Sequence, residues 1–158
     1  SIQRSSELAT WCRTVTKTRG PLRPSFRRTS AISARCLAPA PNAFVWMVDV
    51  TDETNPVPVS TWRVPHEAPF ESNRERFGAH QPQEQMYGED VLAVTWFAGG
   101  VRFLDISDPY RMEEVGFYVP FPGKGYDVVQ SNDVFVDRSG LIYVVDRFNG
   151  FEILERTA

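Results

Sequence analysis

From residue 42 onward the chain is a succession of short apolar runs, each closed by Gly, Pro, Asn or Asp. Runs of this length with period-2 alternation read as strands, and the breakers between them as turns. Residues 90–97 predict one strand, with Val91, Ala93, Thr95 and Phe97 on one face. Ala98-Gly99-Gly100 then turns the chain into a strand at 101–106, and another follows at 114–119. Further on, the pattern predicts strands at 132–137, 141–147 and 151–155, divided by turns at Arg138-Ser139-Gly140 and Asn149-Gly150. Asn-Gly predicts a tight type I′ turn, because both residues tolerate positive φ. Residues 79–85 predict an inner strand ahead of 90–97, weakened by Pro82, which cannot donate to a ladder. Helix is not expected: residues 67–77 are polar, contain Pro69 and fit a long loop, and the chain holds 12 prolines.

The pattern repeats. Val48-Asp-Val-Thr-Asp52 matches Leu104-Asp-Ile-Ser-Asp108, and Val59 and Val115 follow at the same interval. Trp62-Arg-Val-Pro65 then matches Phe117-Tyr-Val-Pro120 with a one-residue shift, and a third copy runs from Asp133 to Ile153-Leu-Glu155. Four-stranded antiparallel units at a period of about 50 residues indicate a β-propeller, in which each small sheet buries its faces only against its neighbours. The expected fold class is therefore all-β, a partial propeller of about two and a half four-stranded blades over residues 42–158. A closed ring needs at least about four blades, so the chain is expected to be the C-terminal piece of a longer propeller.

Gly100 to Gly116, with Asp105-Ile-Ser-Asp-Pro109 inside it, resembles the phrase carried by blades of the LVIVP-repeat proteins. Met112 stands where that phrase has its second proline. Residues 48–60 match it less closely, with Glu53 at the first proline and Pro56 at the second, and residues 151–155 match only its start. The resemblance spans about 43–155. It implies a propeller scaffold, exported or surface-associated in bacteria, with no assigned chemistry. Fold alone does not carry function.

Charge divides the chain at the same place. Residues 1–40 hold eight basic residues against Glu7, with six Ser and five Thr, and show no sustained apolar period. Residues 1–41 are thus expected to be a separate basic segment: a disordered tail, a targeting or binding arm, or the product of a wrong reading frame. The rest carries nine basic and nineteen acidic residues, and the whole chain is at −3, which opposes nucleic-acid binding. Nothing approaches a membrane-spanning apolar run. Both cysteines, Cys12 and Cys36, fall in the basic segment, so residues 42–158 can hold neither a disulfide nor a thiolate zinc site.

Candidate chemistry is sparse. His80 starts the expected inner strand, and alignment of the third unit on the second puts Asn132 and Asp133 at its level, at the mouth of a central channel. Imidazole and carboxylate are ordinary ligands of a divalent metal, and Glu84 or His66 would join them. Hydrogen bonding to neighbouring backbone is the plainer expectation for His80 and Asp133. Asp49, Asp52, Asp105 and Asp108 fit turn hydrogen bonds better than a calcium loop, which needs a glycine and a closing glutamate. Trp46, Trp62, Trp96, Phe97, Phe103, Phe117, Tyr118, Phe135, Tyr143 and Phe151 fit packing between sheets better than a stacking surface. No phosphate loop follows from Ala98-Gly99-Gly100, and no serine has a nucleophile's surroundings. The expected function is a non-enzymatic scaffold for an unidentified protein or small ligand, without a resident cofactor. The alternative is a metal-dependent enzyme at the channel mouth. Open blade edges would also allow self-association.

Overall fold

The computed structural model describes residues 29–33, 44–65 and 76–156. Among them the chain forms nine strands and no helix. β1 (Thr29–Ser33), β2 (Val45–Asp49) and β3 (Val57–Trp62) make one antiparallel sheet. β4 (Val91–Thr95), β5 (Val101–Asp105) and β6 (Glu113–Tyr118) make a second. β7 (Ser131–Val136), β8 (Leu141–Asp146) and β9 (Gly150–Glu155) make a third. β1 lies inside residues 1–41, where the sequence pattern marks no element. Cys12, Cys36, His66, the basic residues of 1–40 and most of the 67–77 loop lie outside the described residues.

The strand pairing recurs from sheet to sheet. Val45 faces Trp62, Met47 faces Ser60, and the register slips between Met47 and Val48. Val101 faces Tyr118, Phe103 faces Gly116, and the register slips between Phe103 and Leu104. Each pair lies 56 residues beyond its counterpart, bulge included. Likewise Val91 faces Asp105 and Thr95 faces Val101, while Leu141 faces Glu155 and Val145 faces Phe151, each 50 residues further on.

The second sheet is covered on both sides. Successive side chains leave a strand on opposite faces. Leu92, Val94, Trp96 and Leu104 point one way and pack with Val45, Met47, Val59 and Trp62 of the first sheet. Val91, Ala93, Val101 and Phe103 point the other way, onto Val134, Ile142, Val144 and Leu154 of the third. Trp62 meets Trp96 edge-on at 5.2 Å, the favoured geometry for two aromatic rings. Complete burial of each such Val, Leu or Ile contributes about 1.5–3 kcal/mol, so these two seams hold the sheets together.

Aspartates shape the turns. Asp49 accepts from the Thr51 amide, Asp52 from Thr54, Asp105 from Ser107 and Asp108 from Tyr110, each two residues on. These are the Asx turns that the sequence suggests. The same device recurs at Asp137, which accepts from Ser139, and at Asp146, which accepts from Phe148.

Three local expectations need correction. Residues 79–85 form no strand; Pro82 makes an isolated bridge to Val94. The segment still follows β4 through His80 N–H to Thr95 O and Gln83 N–H to Ala93 O, both 2.9 Å. Proline removes one donor, and the Gln83 side chain takes the place of a backbone acceptor for the Ala93 amide at 2.8 Å. At Asn149-Gly150 only the glycine has positive φ, so the connection is not type I′. Asp146 instead caps Phe148 and Asn149, and Gly150 pairs directly with Asp146. Finally, Trp96, Phe97 and Phe103 are buried, but Trp46 is 37% exposed and Phe135 and Phe151 are 46% and 58% exposed. No further sheet among the described residues covers those three.

Candidate functional site

Where β4 ends, the chain turns through residues 96–100 and brings Phe97 to the junction of the second and third sheets. The turn is closed by Trp96 N–H to Gly100 O at 2.7 Å and Gly100 N–H to Phe97 O at 3.0 Å. Phe97 has φ +47°, the only non-glycine in the left-handed region among the described residues. A side chain there costs roughly 1–2 kcal/mol against the ordinary conformation. The surroundings impose it: Phe97 bridges both Phe77 and Ser131, and its carbonyl accepts from the Ser131 amide at 3.1 Å.

Cationic and polar groups gather on the Phe97 ring, which is 1% exposed. The His80 ring lies 4.5 Å away, centroid to centroid. The Arg76 guanidinium is 5.1 Å from the ring centre and the Arg147 guanidinium 5.5 Å. Both distances are within cation–π range. Among the described residues, no carboxylate lies within ion-pair distance of Arg76 or Arg147. Arg147 Nε donates to Asn132 Oδ1 at 2.6 Å. His80 Nδ1 lies 2.6 Å from Asn132 O. A carbonyl only accepts, so this contact assigns the imidazole proton to Nδ1. The same carbonyl accepts from Thr95 Oγ1 at 3.1 Å.

Asp146 anchors the third-sheet side. It is 4% exposed, and its carboxylate accepts from the Gln130 amide at 2.7 Å, Ser131 Oγ at 3.3 Å and the Phe148 and Asn149 amides at 2.9 and 3.1 Å. All its capacity is spent on holding the β8–β9 connection and the start of β7. Arg147 follows it directly, so this network sets where the Arg147 side chain begins.

Of the sequence candidates, the structure brings together His80 and Asn132. Asp133 is exposed, and its Oδ1 accepts from the amide of Val134 at 2.8 Å. Glu84 is exposed on the segment before β4. No group of three or more His, Cys, Asp or Glu is gathered among the described residues. Arg76, Arg147 and Asp146 do not stand out in the sequence. Phe97 does, as an aromatic directly before Ala-Gly-Gly, but alternation alone reads it as core.

A second polar cluster lies on the other face of the second sheet. Arg102 is 2% exposed, sits 4.7 Å over the Phe117 ring and is 3.6 Å from Glu114. Burial lowers the Arg102 pKa against the pull of Glu114, and burial likewise raises that of Glu114 against the pull of Arg102.

No helix among the described residues is long and apolar enough to cross a membrane. No family model, curated protein or solved structure matches the chain. The class the structure defines is thus an all-β chain of small antiparallel sheets stacked face to face.

Proposed function

We propose that the chain is a β-propeller repeat module, of the LVIVP-repeat kind, that works as a binding scaffold rather than as an enzyme. The recurring registers and the face-to-face stacking support the propeller reading. The ligand position is at the Arg76 and Arg147 guanidinium groups beside Phe97, and its ligand is a small multivalent anion such as a phosphate or polycarboxylate. One observation carries this: two guanidinium groups with no carboxylate partner among the described residues converge on one buried ring, in a stretch of chain whose net charge is strongly negative. Guanidinium groups match carboxylate and phosphate oxygens geometrically, and clustered cations without carboxylates attract such groups. A backbone strain at Phe97 fits the same reading, because strain persists where the surroundings place a group deliberately.

The test is thermal unfolding in inorganic phosphate or citrate against sodium chloride of equal ionic strength. With ligand at ten times its dissociation constant, binding adds about 1.4 kcal/mol. At about 2–4 °C per kcal/mol for a chain of this size, Tm rises by roughly 3–6 °C. Arg76→Gln or Arg147→Gln removes the rise, whereas Lys124→Gln, on an exposed turn, keeps it. Equal shifts in all four proteins, or none in the parent, would overturn the proposal.

A further inference from the structure

The third sheet presents an apolar face to solvent. Phe135 and Val145 are 46% and 42% exposed, and Phe151 and Ile153 are 58% and 56% exposed. Tyr143 lies between Phe135 and Phe151, with ring separations of 5.8 and 6.0 Å. Single exposed apolar residues are ordinary, but a contiguous patch of this kind marks a contact surface.

The preceding sheets show what covers such a face. Ala93, Val101 and Phe103 occupy the positions of Tyr143, Phe151 and Ile153, each 50 residues earlier and in the same strand register. Those three are buried by the third sheet. In the same way Val45 and Met47, at the positions of Val101 and Phe103, are buried by the second sheet. Every seam thus joins this face of one sheet to the opposite face of the next. Only one such opposite face lacks a preceding sheet among the described residues: that of the first sheet. It carries Trp46, 37% exposed and stacked on Phe44 at 5.5 Å.

We propose that the outer face of the third sheet docks onto the outer face of the first sheet of a second copy of this chain. The contact is head-to-tail and continues the two existing seams. It uses two different patches, so it is heterologous, and the pair keeps one patch of each kind, one on either copy, available for further growth or closure. The inference shares the stacked-sheet reading above but does not depend on the anion site.

The experiment is sedimentation equilibrium across a wide range of concentration on the parent, the double variant Phe151→Glu/Ile153→Lys and Trp46→Glu, with Phe121→Glu and Arg147→Gln as controls. The parent assembles with rising concentration. Each variant weakens assembly by at least about tenfold in dissociation constant, equivalent to about 1.4 kcal/mol. Phe121→Glu, 65% exposed and off both faces, does not. Circular dichroism and thermal unfolding confirm that each variant folds, and the substituted side chains are solvent-exposed in the single chain. Mixing the two face variants is decisive. Each retains the patch the other lacks, so the mixture forms a heterodimer and nothing larger. A parent that stays monomeric throughout overturns the proposal. So does an assembly that survives Trp46→Glu, since that would mean third sheet meeting third sheet. Arg147→Gln leaves the assembly unchanged, which separates this inference from the ligand reading.

Discussion

Gly100→Ala is the substitution for which the structure gives the sharpest expectation. Gly100 has φ +75° and directly precedes β5. A Cβ built on it would lie 2.1 Å from Tyr118 O, 2.8 Å from Val119 Cα and 2.9 Å from the Tyr118 carbonyl carbon. All three atoms are backbone, so no rotamer change relieves the overlap. β5 and β6 must separate at Val101–Tyr118, their first pair. The left-handed conformation costs alanine about 1–2 kcal/mol, and the forced shift adds about 1–3 kcal/mol, the range for overpacking. The two sum to roughly 2–5 kcal/mol. Gly140 and Gly150 isolate the terms: both have φ +89° and nothing within 4 Å of an added Cβ. Alanine there carries the conformational cost alone. Any gain from restricting the unfolded chain is common to all three and cancels. The assay is urea unfolding, where a slope of about 1–3 kcal/mol/M turns a 2 kcal/mol difference into about 1 M in midpoint. Gly100→Ala within about 0.5 kcal/mol of Gly140→Ala would refute the argument from the carbonyl clash.

The remaining expectations concern polar groups. Asp146→Ala strips partners from Gln130, Ser131, Phe148 and Asn149 at once, and costs about 3 kcal/mol or more in the same urea assay; Asp146→Asn costs less. Hydrogen bonds led by the Ser139 side chain, with Tyr143, Leu141 and the Ser139 amide, hold the Asp137 pKa below its ordinary 3.8. The stability this gives is present above pH 3.8 and is lost as pH falls through the lowered value. Amide exchange at Ser139 and Leu141 therefore accelerates in strong acid, and Asp137→Asn removes that dependence. The same contact raises the Tyr143 pKa above 10.0; its stabilisation holds below pH 10 and fades as pH climbs through the raised value, which ultraviolet titration of the phenol reads directly. On the scaffold reading, elemental analysis of purified protein finds no stoichiometric divalent metal, and His80→Ala leaves metal content unchanged.

Much of the strand pattern is legible in the chain. β4 to β9 fall within a residue or two of the apolar runs at 90–106, 114–119 and 132–155, because alternation and turn residues are local signals. β1 is not legible: Thr29-Ser-Ala-Ile-Ser33 is polar on both parities, and its strand character comes from pairing with β2 rather than from its own pattern. Residues 79–85 carry the reverse lesson, since they do run along β4 but proline leaves them bonded to it without completing a strand. The candidate site is half legible. His80 and Asn132 come together as the unit alignment suggests, whereas Asp133 alternates away from them. Arg76 and Arg147 converge with Phe97 only through a left-handed turn and the Asp146 network, neither of which has a periodic signature. Exposure is the property least visible in the sequence: Phe103 and Ile153 occupy equivalent positions, one buried and one open. The difference lies in what stands opposite, not in the residues themselves.

β4 has both its faces closed, and that sets how freely its sequence can drift. On an ordinary half-buried strand, every second position tolerates almost any polar residue. In β4 no position does: Leu92 and Val94 are committed to one seam, Val91 and Ala93 to the other, and the Thr95 hydroxyl to Gln81 and Asn132. A saturation library across the chain should therefore show five consecutive intolerant codons at 91–95, where β8 shows alternation. Homologues that diverge elsewhere would be recognised by this short run.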